Sequence, residues 1–168
     1  ILKFNHILLI WYCEIFIELK ATFGAGCFWH VEDLLSKTKG VTSTAVGYIG
    51  GQLPNPTYEE VCTAQTGHAE AVEVEFNPDE ITYEALLDIF WRNHNPTTLN
   101  RQGPDVGNQY RSAIFYHNEV QKEIAEKSKQ TLDSSKSFDN PIVTQIIPAP
   151  KFYKAEEYHQ KYFKKQGF

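Results

Sequence analysis

The chain has 168 residues, 42% of them hydrophobic and 14% aromatic, and a formal net charge of -5. That length suits one core-forming domain rather than two joined by a linker, and the acidic balance offers no basic footprint for nucleic acid. Three cysteines, Cys13, Cys27 and Cys62, are too few and too odd in number for a disulfide framework and show no CxxC spacing, while His30 and His68 lack partner cysteines at zinc spacing; thiol chemistry in a reducing, cytoplasmic compartment is expected, with no metal.

Residues 1–19 contain an apolar stretch, Ile7 to Cys13, that Glu14 and Glu18 interrupt well short of bilayer-spanning length, so no membrane span is expected. Methionine is absent throughout, and residues 1–19 are expected to be a leader or a translated upstream segment ahead of a single catalytic domain over 20–168. From Lys20 to Ala25 the pattern predicts a strand ending in the Gly24-Ala25-Gly26 turn. A helix then runs from about Cys27 to Thr38 with a core stripe of Phe28, Val31, Leu34 and Leu35, stopped by Gly40. A strand over Val41 to Ile49, a loop rich in Gly and Pro, and a short helix or turn over Tyr58 to Thr66 follow. Ala69 to Phe76 alternates cleanly, with Val72, Val74 and Phe76 on one face and Glu73 and Glu75 on the other. Thr82 caps a helix to about Asn93; a polar loop leads to a strand over Tyr110 to Tyr116, a charged helix from Glu119 to Asp133, a strand over Ile142 to Ile147 and a last helix near Ala155 to Lys164. This order predicts an α+β domain on the split βαβ, ferredoxin-like plan, with a helix, strand and helix appended.

Three segments carry chemistry. In Gly24-Ala25-Gly26-Cys27-Phe28-Trp29 a thiol falls at a helix start, where free N–H groups and the helix dipole favour an anion, so Cys27 is expected to ionise more readily than a free thiol and is a candidate nucleophile. Helical geometry puts Phe28 in the core stripe and turns Trp29 towards the polar side with Glu32 and Ser36, as a binding wall. Position alone leaves open that Cys27 is only a small packing residue and Trp29 a chance surface ring. In Gly67-His68-Ala69-Glu70, Glu70 shares the parity of Val72, so its carboxyl points to the apolar face, where desolvation raises its pKa; a twist at the strand end would instead leave it in water. His68 has the opposite parity and is expected at the surface or in a loop. The third segment, Arg101 to Ser112, offers Asp105, Tyr110 and Arg111 as hydrogen-bonding groups, and neither it nor Tyr58 stands out unaided.

Taken together, GCFW at 26–29, GYIGG at 47–51, PTYEEVCTAQTGHAEAV at 56–72, FWRNHNPTTLNRQGPDVGNQYRSAIFY at 90–116 and FYKAEEYHQKY at 152–162 resemble the A-type peptide-methionine sulfoxide reductases. The resemblance implies a mixed sheet with long coil segments, Cys27 as nucleophile, Phe28 and Trp29 as the pocket for the sulfoxide methyl group, and Glu70, Tyr58, Tyr110 and Asp105 as catalytic groups. It implies reduction of the S-sulfoxide of methionine, free or in oxidised proteins, through a sulfenic acid on Cys27, as protein repair. No bound cofactor is expected, and the protein is expected to be a monomer. No cysteine follows Cys62, in contrast to many relatives, so an external thiol such as thioredoxin, glutaredoxin or glutathione is expected to regenerate Cys27. Two alternatives remain at this point: a peptide-binding relative that does not recycle, and a cysteine hydrolase using His68 or His94 as base.

Overall fold

The computed structural model describes residues 19–168. The expectations for the leader, with Ile7 and Cys13, lie outside the described residues, and Leu19 is already the first residue of a strand. In chain order the elements are β1 (Leu19–Ala25), α1 (Phe28–Ser36), β2 (Val41–Ile49), α2 (Tyr58–Cys62), β3 (Ala69–Phe76), α3 (Tyr83–Arg92), β4 (Arg101–Gln102), β5 (Asp105–Val106), β6 (Ser112–Tyr116), α4 (Glu119–Ser134), β7 (Gln145–Pro148), β8 (Tyr153–Lys154) and α5 (Tyr162–Lys165).

The main sheet has the order β7-β6-β1-β3-β2-β8, and β4 and β5 form a separate hairpin. Because α1 links β1 to β2 as a crossover, a gap is left between those strands, and β3 turns back from β2 to fill it, antiparallel to both. With β6 antiparallel on the other side of β1, the four central strands have the expected split βαβ arrangement. The parallel pairing of β6 with β7 makes the sheet mixed.

Alternation along the strands decides what each face packs against. Val72, Val74 and Phe76 of β3, Ala21 and Phe23 of β1, Val46 and Tyr48 of β2 and Ile114 of β6 form one core with Phe28 and Leu35 of α1 and Leu86, Leu87 and Phe90 of α3. The other face carries the smaller cluster Ile49, Ala69, Ala71, Ala113 and Phe115, covered by Ile147, Ala149 and Phe152. Helix starts follow their caps: Thr82 accepts from Ala85 N–H, Asn118 accepts from Gln121 N–H, and Thr57 with Glu60 forms a reciprocal capping box.

Several local expectations are corrected. The strand expected from Tyr110 starts at Ser112, and residues 108–110 form a 3₁₀ turn that the Arg111 guanidinium fastens by donating to Asn108 O and Gln145 Oε1. The strand expected from Ile142 starts at Gln145, because Ile142 N–H donates to Asp133 Oδ1 and Val143 N–H to Pro96 O instead of to a ladder. In place of a helix from Ala155 there is the edge strand β8, a 3₁₀ turn over 157–159 and the four-residue α5, which begins after Lys161 at φ 51°. Glu32 is not on a polar face: it is 2% exposed and accepts from the Thr44 hydroxyl and from Lys161 N–H. His68 is buried rather than at the surface, with Nδ1 accepting from Gly51 N–H and Nε2 facing Leu53 O at 2.7 Å. Among the described residues no helix is long and apolar enough to cross a membrane.

His94 gives the fold a pH dependence. Its Nδ1 lies 2.7 Å from Phe90 O and its Nε2 2.7 Å from Ser112 Oγ, and burial, opposed by the Phe90 carbonyl, pushes its pKa down from 6.5 to about 4. The unfolded chain therefore takes up a proton near pH 6.5 that the folded chain refuses until about pH 4, so stability is fully present above 6.5 and lost as the pH falls towards 4. Urea unfolding is expected to lose up to about 1.4 kcal/mol per pH unit from this group across that window. A His94→Asn variant is expected to be less stable at neutral pH and flatter across the same window, and an equal slope would assign the loss to other groups.

Candidate active site

Cys27 is the N-cap residue of α1, immediately after Gly26. Gly26 sits at φ 88°, and a Cβ there would come within 2.7 Å of Gln102, so the turn that presents Cys27 also takes the β4–β5 hairpin close against it. The hairpin is in turn fixed to the segment after α3, since Gln102 accepts from Asn95 N–H and donates to Asn95 O.

Seven side chains line one small cavity of about 130 Å³: Cys27, Phe28, Trp29, Tyr58, Glu70, Asp105 and Tyr110. They come from five separate places in the chain; Cys27, Phe28, Trp29 and Glu70 are expected from their own residue patterns, and Tyr58, Asp105 and Tyr110 from the family resemblance. Glu70 stands at the start of β3 on the α1 side, cross-strand from Tyr48, and is 2% exposed, so the alternative in which the strand twists it into water is not what the chain adopts. The Phe28 N–H, one of the free donors at the start of α1, donates to Glu70 Oε2 at 3.1 Å. Burial pushes the Glu70 pKa from 4.5 to about 7; the Phe28 N–H opposes the rise and the Asp105 carboxylate adds to it. That shift corresponds to about 3 kcal/mol against the charged form, enough to keep about half of the groups neutral at pH 7.

For Cys27 the expectation of easy ionisation is corrected. Burial is the largest influence and pushes the thiol up to about 11; the N–H groups of Trp29 and His30 pull the other way, and the charges of Glu70 and Asp105 push it further up. The helix start therefore favours the anion too weakly to offset burial. Burial likewise raises the Tyr110 hydroxyl to about 12 and pushes Tyr58 up, which keeps both phenols as donors across the neutral range.

Sequence reasoning missed the C-terminal side of the site. Glu156 accepts from Tyr58 N–H and from the Tyr48 hydroxyl, both at 2.8 Å. His159 accepts from the Trp29 indole at 3.0 Å and packs its ring on Tyr58 and Phe28. Tyr162 stacks on Trp29 with centroids 3.9 Å apart, so Trp29 is half-buried and covered on one face rather than a chance surface ring. All three lie in the quoted FYKAEEYHQKY run; reading that run as a helix hid their direction. The rival base residues are engaged elsewhere: His68 between Gly51 and Leu53, His94 between Phe90 and Ser112, and neither lines the cavity. Among the described residues there is no cluster of three or more His, Cys, Asp or Glu side chains able to hold a metal.

Fold and pocket together define an α+β domain in which a cysteine shares one small cavity with a buried acid. A family model described as peptide methionine sulfoxide reductase matches residues 19–167. The peptide methionine sulfoxide reductase MsrA of Methanosarcina acetivorans is 61% identical over 149 residues, covering 89% of this chain and 79% of its own. The reduced form of Mxr1 from Saccharomyces cerevisiae superposes with a TM-score of 0.84 at 38% identity, over 89% of this chain and 86% of that one. A structure of Mxr1 in complex with Trx2 superposes at 0.62 with 29% identity, over 86% and 84%. The chain belongs to the peptide methionine sulfoxide reductase family, and it is an oxidoreductase that reduces methionine sulfoxide.

The Gly26 turn gives a direct test of how the cysteine is presented. Gly26→Ala is expected to cost about 1–3 kcal/mol in denaturant unfolding, since the new Cβ meets Gln102 at a backbone angle that L side chains avoid. Unchanged stability would mean that the turn and hairpin are free to part.

Proposed function

We propose that Cys27 is the nucleophile, that Glu70 with the hydroxyls of Tyr58 and Tyr110 holds and protonates the sulfoxide oxygen, and that Phe28 and Trp29 receive the methyl group. The observation that carries this reading is the single cavity shared by all of these side chains, with a largely apolar wall at one end and Glu70 buried beside Cys27. A sulfoxide sulfur is a poor electrophile until its oxygen is hydrogen-bonded or protonated, and a carboxyl with a pKa near 7 supplies that proton. Attack by Cys27 sulfur transfers the oxygen atom: thiol plus sulfoxide become sulfenic acid plus methionine, the sulfoxide sulfur gaining two electrons and the cysteine sulfur losing them. Asp105, at the hairpin edge of the cavity, keeps that side polar. Oxygen and methyl held on fixed sides select one epimer, which we assign as S, with methionine in oxidised proteins as the substrate and repair as the outcome.

For regeneration we infer an external thiol of the thioredoxin type, supported by the relative crystallised with Trx2. The thiol displaces water from the sulfenic acid to give a mixed disulfide, and a second thiol then releases Cys27. Free thiols at Cys27 and Cys62 accord with a reducing, cytoplasmic setting. The complete set of groups around the thiol gives no support to a peptide-binding relative that has lost turnover.

In the reactive state Cys27 and Glu70 share one proton, as thiolate beside acid or thiol beside carboxylate. Below about pH 7 a second proton occupies the pair and has to leave first, so the single-turnover rate of methionine formation rises with pH through about 7 and then levels off. Glu70→Gln keeps a neutral donor but cannot exchange that proton. It is expected to abolish the limb near pH 7 and to slow the burst by about 10² to 10⁴, and Cys27→Ser is expected to abolish the burst. A limb that survives in Glu70→Gln would assign the proton to another group.

Recycling is tested separately. A variant with both Cys13→Ser and Cys62→Ser is expected to keep its burst and its steady-state rate with thioredoxin. If the burst survives and turnover is lost with every thiol donor, one of those two cysteines is the resolving group.

A further inference from the structure

The two walls of the catalytic cavity are joined by side chains that do not line it. The Trp29 indole N–H donates to His159 Nδ1 at 3.0 Å, so that nitrogen carries no proton and the neutral ring has its hydrogen on Nε2. His159 is 1% exposed, and its Nε2 has no hydrogen-bond partner; the nearby Glu156 Oε2 stands off at 3.8 Å. Glu156 already has both oxygens engaged, one by Tyr58 N–H and one by the Tyr48 hydroxyl. Two hydrogen-bonded pairs, Trp29 with His159 and Tyr58 with Glu156, thus meet across a 3.8 Å gap between α1 and the start of α2.

Stacking explains why the imidazole is needed. Tyr162 lies flat on Trp29, with an interplanar angle of 8°, and a flat stack leaves an aromatic ring free to slide and turn in its own plane. A directional hydrogen bond at the indole nitrogen removes that freedom. His159 itself packs against the rings of Phe28 and Tyr58, with centroids 5.1 and 4.5 Å away, so it ties Trp29 to both neighbours in the cavity. We propose that His159 is a positioning residue that, backed by Glu156, sets the width of the methyl pocket by pinning the Trp29 ring, and thereby makes the site prefer a sulfoxide methyl over a larger alkyl group. This rests on the assignment of Phe28 and Trp29 as the methyl wall. A rigid apolar pocket discriminates one methylene by roughly 10- to 200-fold, and a wall free to slide loses most of that.

The experiment compares single-turnover rates against concentration for the S-sulfoxides of methionine and ethionine. It uses the wild type, His159→Phe, which keeps a ring and loses the acceptor, and His159→Asn, whose Oδ1 stands near the place of Nδ1. In His159→Phe the apparent affinity for methionine sulfoxide is expected to fall roughly five- to tenfold, as for one lost hydrogen bond, with the limiting rate within about threefold. Its preference for methyl over ethyl is expected to fall at least about fivefold. His159→Asn is expected to recover most of both. The proposal is overturned if His159→Phe keeps the wild-type preference, or if Asn and Phe lose it equally, which marks a packing role only. Trp29→Phe is the control: it is expected to lose the methyl preference, and its keeping it would place the fault in the assignment of the wall, whatever His159 does.

Discussion

The hydrogen bond from Phe28 N–H to Glu70 Oε2 is the contact on which the site depends. It joins the first free donor of α1 to a carboxyl at the start of β3, and so sets the distance between the cysteine that precedes Phe28 and the acid that faces it. Its energetics are balanced: the sheet buries Glu70 and favours the neutral acid, while the helix N–H favours the carboxylate. Burial outweighs the N–H, but only as far as a pKa of about 7, which leaves the group able to give or take a proton under working conditions.

The rest of the fold serves that contact. The split βαβ order brings β3 between β1 and β2, so that the start of β3 lies beside the end of β1, where the Gly26 turn releases the chain into α1. The small residues Ala69 and Ala71 on the far face let the chain near Phe152 pack closely there, which brings the C-terminal segment round to β2 and on to Trp29 and Tyr58. Burial outweighs the helix dipole and holds the Cys27 thiol above its ordinary pKa. On the proposed mechanism, reactivity depends on moving a proton within the Cys27–Glu70 pair rather than on a standing thiolate, which would be open to any oxidant.

Much of this was legible in the sequence because it is written in local patterns. The parity of Glu70 with Val72, Val74 and Phe76 foretold its burial, and the glycines before Cys27 foretold a tight turn into a helix. Tyr58, Tyr110 and Asp105 carried no such signal and came forward only through the resemblance of their motifs. What failed were features set by distant partners. Tyr110 has strand-like neighbours, yet Arg111 reaching Asn108 and Gln145 turns it into a 3₁₀ segment. Glu32 and His68 sit where polarity implies water, but Thr44, Lys161, Gly51 and Leu53 supply their hydrogen bonds inside. The C-terminal run has the composition of a helix and is held in an irregular path by Val46, Tyr48 and Trp29. The thiol erred for a different reason: position at a helix start predicts a direction, and burial decided the sign.

The central claim is that Cys27 itself takes the oxygen atom. Mixing the protein with a slight excess of methionine S-sulfoxide in the absence of any reductant, and weighing its peptides, tests this most directly. The account predicts about one equivalent of methionine and a gain of about 16 Da, the one oxygen atom of a sulfenic acid, on the peptide that contains Cys27. Methionine formed in full while that peptide keeps an unmodified thiol would contradict it.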